Sequence, residues 1–257
     1  MLEFDRGMPN NTERFTILEV ARQVTGQMVP VNGSFSFFCT TPIFEEDLKQ
    51  YIHEPIAALP PALGQVLPHI GLLLVPHLEA PAAKGPALVS FDQPAESKSL
   101  LVAEATVENK LVIALATADV DMSEYHYTLY DAIAAQLTRL APSSVVEDFS
   151  KLLREELSNQ ANGEIREDSW ALKQKYLHRA GGNGKRETSL WNDYMKQSLR
   201  DTLTLFLHGI CCDIDVEAGP RQLASRFIRK RLELLKAAFP PPDGYALFPE
   251  QVRRRRG

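Results

Sequence analysis

Apolar positions recur along this chain with two different periods, and the change falls near residue 120. Before it the apolar runs are short and punctuated. Ser34–Thr40 is an aromatic run that predicts a strand, and Gly71–Val75 and Ala87–Phe91 predict two more. Leu100–Val107 and Lys110–Thr117 are β-rich runs joined at Glu108 and Asn109, the strongest hairpin signal in the sequence. Phe15–Val24 reads as a short helix. Glu45–Leu59 reads as another, with three acidic residues in its first turn, where the helix dipole favours them, and with Pro55 expected to kink or end it. After residue 120 the period is helical. Leu129, Ile133, Leu137 and Leu140 predict an amphipathic helix that stops before Pro142. Ser144 and Glu147 stand at capping-box spacing ahead of a helix through Phe149, Leu153 and Leu157. Further helices are expected from about Asp168 to Leu177, from Thr188 to about Ile214, and over Gln222–Phe239, with Gly181–Gly184 and Gly219-Pro220 as breaks.

This pattern predicts an α+β fold: a small antiparallel sheet in the N-terminal half packed against a mostly helical C-terminal half. Proline usage agrees, because 11 of the 17 prolines fall in residues 1–120, where they favour short elements and turns. The expected organisation is a proline-rich mixed layer over 1–120 and a helical layer over 121–250 of the same compact domain. A basic tail follows over 251–257.

The net charge of −5 excludes a chain that coats itself on nucleic acid or anionic lipid. The charge is unevenly placed. Residues 1–120 carry 7 basic and 14 acidic side chains, whereas residues 121–257 carry 21 and 19, so a local basic surface remains available. The most apolar stretch, from Ile70 to Val75, lies between Pro68 and Pro76 and is far short of the ~20 residues that cross a bilayer. The first residues lack the charged and apolar regions of a secretory signal. Cys39 stands alone and Cys211 and Cys212 are adjacent, a usage that suits reduced thiols. The expectation is a soluble cytoplasmic protein with no membrane partner.

Candidate chemistry concentrates in two helical stretches. On the longest predicted helix Asp201, Leu205, His208, Cys212 and Asp215 share one face, at spacings of four and three. His208 and Cys212 can ligate one Zn²⁺ through imidazole nitrogen and thiolate sulfur, with Asp201 or Asp215 orienting the imidazole. The segment from Leu207 to Asp213 is loosely similar to the metal-binding helix of zincin metalloproteases, whose H-E-x-x-H motif supplies two ligands and a base. Only His208 matches. Gly209 stands in place of the base and Cys212 in place of the second histidine, so membership of that family does not follow. The second stretch, from Glu124 to Asp131, carries His126 and Tyr130 one turn apart. That pair suits acid–base work, or metal binding with Glu124. Convergence of His126 with His208 and Cys212 on one cavity would favour a metal. His53, His69 and His77, all near prolines, read as loop or boundary residues.

Other signals are weaker. The glycine-rich run from Arg179 to Arg186 lacks the spacing and the Ser/Thr of a phosphate-binding loop. Arg221, Arg226, Arg229, Lys230, Arg231 and Lys236 form a late basic cluster. Arg226, Arg229 and Lys230 share a face that can meet phosphates, but no aromatic residues interleave for base stacking. Three readings follow. The first is a non-catalytic binding or scaffolding role, with a protein or small ligand as partner. The second is a metal-dependent hydrolase, or a degenerate zincin-like relative, using His208, Cys212 and His126 with Zn²⁺, and with Glu124 or Asp201 as base or orienter. The third is nucleic-acid binding through the Arg221–Lys236 helix, which the charge balance makes the least expected.

Overall fold

The computed structural model describes residues 14–82, 84–179, 189–212 and 221–248. The expectations for Gly181–Gly184, Ile214, Asp215, Gly219-Pro220 and the 251–257 tail lie outside the described residues. The fold is α+β. The chain divides into two compact units, one of Met1–Ile56 with Pro68–Leu129 and the other of Ala57–Leu67 with Tyr130–Gly257.

The first unit holds the strands. Strand β1 (Phe15–Thr16) leads directly into helix α1 (Ile17–Val24). Thr16 is the reason the helix begins at Ile17 and not at Phe15. Its hydroxyl accepts the Glu19 N–H at 3.2 Å, and the Glu19 carboxylate accepts the Thr16 N–H at 2.8 Å, a complete capping box. Then come β2 (Val29–Pro30) and β3 (Phe35–Cys39), followed by α2 (Glu45–Leu48), a π turn over Lys49–His53 and α3 (Glu54–Ala57). Pro55 does not end this helix. The π turn just before it accommodates the missing proline N–H. Strands β4 (Ile70–Val75), β5 (His77–Glu79), β6 (Leu88–Ser90), β7 (Ser99–Leu100), β8 (Val102–Val107) and β9 (Lys110–Ala116) complete the unit.

These strands form two sheets, where the periodicity suggested one. The smaller has the order β1-β6-β5-β7 and is antiparallel throughout. The larger has the order β2-β3-β4-β9-β8, and its two central pairs, β3 with β4 and β4 with β9, are parallel. Most pairs are therefore antiparallel, as expected, and the two parallel ones both involve β4. All six residues of β4 are buried, so this strand is covered on both faces, and such a strand is apolar at every position. The β8–β9 hairpin turns at Glu108 and Asn109, whose φ values of 48° and 65° are those of a type I′ turn. One face of the larger sheet carries Leu73, Val75, Val112 and Ala114 against Ile17, Ala21 and Val24 of α1.

Helix α4 (Met122–Leu140) runs unbroken from the first unit into the second. Helices α5 (Ser143–Ser158), α6 (Glu167–Arg179), α7 (Ser189–Cys211) and α8 (Ser225–Ala238) follow. The capping box expected at Ser144 does not form. Pro142, with φ −53°, takes the cap position two residues earlier and leaves Ser144 inside the first turn. Among the described residues, no helix is long and apolar enough to cross a membrane.

A buried ionic cluster sits in the middle of the second unit. Arg231 of α8 is fully buried, and its guanidinium donates to Glu156 of α5 at 3.0 Å and to Glu164 at 2.8 Å. Glu164 also accepts from Lys173 at 3.3 Å, from Ser198 at 3.2 Å and from the Tyr194 hydroxyl. Two cations thus face two carboxylates with most hydrogen-bonding positions filled. Burial alone would raise the Glu164 carboxyl, but Arg231 and Lys173 beside it hold it down at about 2.

Candidate metal centre

The centre is built by helices α4 and α7, and contacts within the second unit fix how they pair. Asp131, near the middle of α4, accepts from Arg166 at 2.9 Å and from Thr204 of α7 at 3.1 Å. One residue earlier, the Tyr130 ring lies 6.1 Å from the His208 ring. Burial, with Cys211 and Cys212 nearby, pushes the Tyr130 hydroxyl far above its ordinary range, so it stays protonated and hydrogen-bonded to Cys211. Moving back along α4 therefore corresponds to moving forward along α7. His126 lies one turn before Tyr130 on α4, and Cys211 ends α7 with Cys212 immediately after it.

Consistent with that register, the ligand atoms of His126, Cys211 and Cys212 all lie within 4.8 Å of one another. The imidazole is held in place. Its Nε2 lies 2.9 Å from the Gln50 carbonyl, which can only accept, so Nε2 is the donor of that bond. A metal-ligating histidine is typically oriented by such a bond to a backbone carbonyl. Neither thiol is in a disulfide. Cys39 offers a contrast, since burial pushes its thiol up to about 11 and makes it a poor ligand and nucleophile.

The structure brings His126 and Cys212 together with Cys211, not with His208 as the expected convergence had it. His208 is not part of this group and packs on Tyr130 instead. Glu124 is exposed at the start of α4. Cys211 escaped the helical-face argument because α7 ends at that residue. Beyond the helix end the regular 100° step no longer applies, and adjacent side chains can turn to the same point. A pair of neighbouring cysteines at a helix terminus was the available signal.

Asp201 belongs to a different environment. It is 1% exposed and accepts from Gln197 at 2.8 Å, with Arg166 at 3.9 Å. Burial raises its carboxyl from 3.8 to about 6. A raised folded value for an acid means that the folded state binds the proton more tightly than the unfolded chain. The associated stability is therefore complete below about pH 4 and is lost as pH rises through 6, at a cost of about 3 kcal/mol. Asp201→Asn is expected to be more stable than the parent at pH 8, to approach it at pH 4, and to flatten the profile between them. Urea unfolding at the two pH values measures the difference.

The basic residues of α8 are largely committed. Arg229 pairs with Glu233 at 3.1 Å and Lys230 with Glu155 at 3.1 Å, while Arg231 is the buried centre of the ionic cluster and not part of any surface.

Comparison with known protein families, curated proteins and solved structures yields no match. The chemistry of this chain rests on its own geometry.

Proposed function

We propose that this protein binds a divalent transition metal, Zn²⁺ foremost, through Nδ1 of His126 and the thiolates of Cys211 and Cys212. The observation that carries the reading is the gathering of three soft or borderline ligand atoms within 4.8 Å. Ligands around a tetrahedral zinc stand about 3.5–3.8 Å apart, given bonds of ~2.0–2.3 Å, so only a small contraction is needed. Thiolate and imidazole donors favour zinc over magnesium or calcium, which prefer oxygen. Three protein ligands leave a fourth position for water or a small ligand. The Tyr130 hydroxyl, which burial keeps protonated, interacts with Cys211 and can donate to its sulfur. The group includes no carboxylate, so metal binding is favoured over the hydrolase in which Glu124 or Asp201 acts as base.

Titration of the reduced protein with Co²⁺ tests this directly. The expected result is one equivalent bound, with thiolate-to-metal absorption that Zn²⁺ abolishes by displacement. Affinity rises with pH, because two thiols must lose protons on binding. Cys211→Ser, Cys212→Ser and His126→Ala each weaken binding roughly tenfold or more. Absence of saturable binding, or affinity unchanged in Cys212→Ser, overturns the reading.

A further inference from the structure

A second site lies in the first unit, on the opposite chemical principle. Strand β3 places Ser36 directly beside Gly71 of β4 in the parallel ladder. A cleft of about 290 Å³ opens beside this pair, lined by Met28, Ser36, His69, Gly71, Lys110 and Val112 among others. A Cβ at position 71 would stand 2.5 Å from the Met28 sulfur, so glycine there is what lets the Met28 thioether pack against β4 as one wall of the cleft. His69 immediately precedes β4, and its Nε2 lies 3.0 Å from Ser36 Oγ.

The other ring nitrogen settles the proton arrangement. Nδ1 lies 3.3 Å from the Gly33 carbonyl, an acceptor only, so Nδ1 carries the hydrogen and Nε2 is left to accept from the Ser36 hydroxyl. The Gly33 carbonyl is itself held on a fixed turn. Asn32 Oδ1 accepts from the Ser34 N–H at 2.9 Å and from the Phe35 N–H at 3.0 Å. A nucleophile, a base in the right tautomer and a rigid orienting acceptor are therefore in line. Among the described residues the Met28 thioether at 3.6 Å also accepts the serine proton, but thioether sulfur is a weak acceptor.

We propose that Ser36 and His69 form a nucleophile–base pair that hydrolyses small carboxylic esters, with Lys110 supplying positive charge in the same cleft. In the first half-reaction Ser36 Oγ bonds to the ester carbonyl carbon and its proton passes to His69 Nε2. The carbonyl–alkoxy bond then breaks, and the departing alcohol oxygen takes that proton. In the second, water attacks the acyl carbon and gives a proton to His69, and the serine oxygen recovers it as the acid leaves. Ester and water become acid and alcohol, with no other reactant.

The test uses a fluorophosphonate probe on the full chain, with the modified residue mapped by mass spectrometry, alongside turnover of p-nitrophenyl acetate. Labelling at Ser36 is expected, and Ser36→Ala abolishes both labelling and turnover. His69→Ala slows acylation at least ~100-fold, and added imidazole restores part of it, which a purely structural role for His69 would not produce. A metal chelator leaves the rates unchanged, which separates this site from the His126 centre. If the probe labels other residues only, or if His69→Ala reacts at the parent rate while retaining the parent far-UV spectrum, the proposal is wrong. Should His69→Ala fail to fold, labelling of the parent at Ser36 still decides the matter.

Discussion

Arg231→Met is expected to lose about 3–5 kcal/mol in urea unfolding at pH 7, a large share of the ~5–15 kcal/mol that holds an ordinary domain together. Methionine fills much the same volume, so the loss comes from charge and not from a cavity. With Arg231 gone, the Glu156 carboxylate loses the guanidinium that donates to both of its oxygens, and Glu164 keeps only Lys173, Tyr194 and Ser198. Both carboxylates are buried, and an uncompensated buried charge is far more costly than the net value of the intact pair. The pH dependence identifies the cause. In the parent, the Glu164 carboxyl is held at about 2 against an ordinary 4.5, so its contribution is present above pH 4.5 and is lost as pH falls through 2. In Arg231→Met the stranded carboxylates take up protons instead, and the deficit relative to the parent narrows as pH falls below 7. Adding Glu156→Gln and Glu164→Gln to Arg231→Met should cost less than Arg231→Met alone. A triple variant that is worse than the single one would mean that packing, not stranded charge, is the dominant loss.

Gly163→Ala is the second large effect, and it acts through the backbone. A Cβ at this position would lie 2.1 Å from the Gln222 carbonyl oxygen and 2.6 Å from the Leu223 nitrogen. Neither is the end of a flexible side chain. The segment at residues 221–223 must move, and with it go the Glu164 N–H bond to the Arg221 carbonyl at 3.0 Å and the Leu223 N–H bond to the Glu164 carbonyl at 3.1 Å. The Gly163 carbonyl also accepts from buried Lys173 at 2.9 Å, so the displacement reaches the ionic cluster. A loss of about 3 kcal/mol is expected, at the upper end of what overpacking costs. Gly26→Ala is the control, since nothing lies within 4 Å of its added Cβ, and it should stay within about 0.5 kcal/mol of the parent. Thermal melts of the two variants side by side check the contrast.

The sequence revealed local features well where the signal was local. Glu108 and Asn109 marked a two-residue turn because left-handed backbone is required there and asparagine tolerates it. The unbroken apolar run ending at Val75 announced a buried strand, but nothing within it said that both its partners would be parallel, since pairing direction is decided by distant segments. The ionic cluster was misread for a similar reason. Arg231 lies among exposed basic residues of one helix, and only Glu156 and Glu164, some 70 residues earlier in the chain, turn it into a buried centre. The three residues proposed to hold a metal were half legible. His126 and Cys212 stood out by residue type, whereas Cys211 depended on where α7 stops. Ser36 and His69 carried no motif at all, because their proximity is a product of strand register across the β3–β4 pair.

The sheet edges have a consequence for how this chain meets other molecules. Strands β1, β7 and β2 are edges of only two residues each, and β2 ends in Pro30, which has no N–H to offer. The remaining edge, β8, is longer but places Glu104 in its middle, exposed to solvent. Short, proline-terminated or charged edges give an incoming strand little to hydrogen-bond with. Among the described residues, then, the sheet edges disfavour strand addition and the edge-to-edge aggregation that follows from it. Whatever this protein recognises must be read by clefts and side chains, and an extended peptide joining a sheet is the one mode of recognition its architecture discourages.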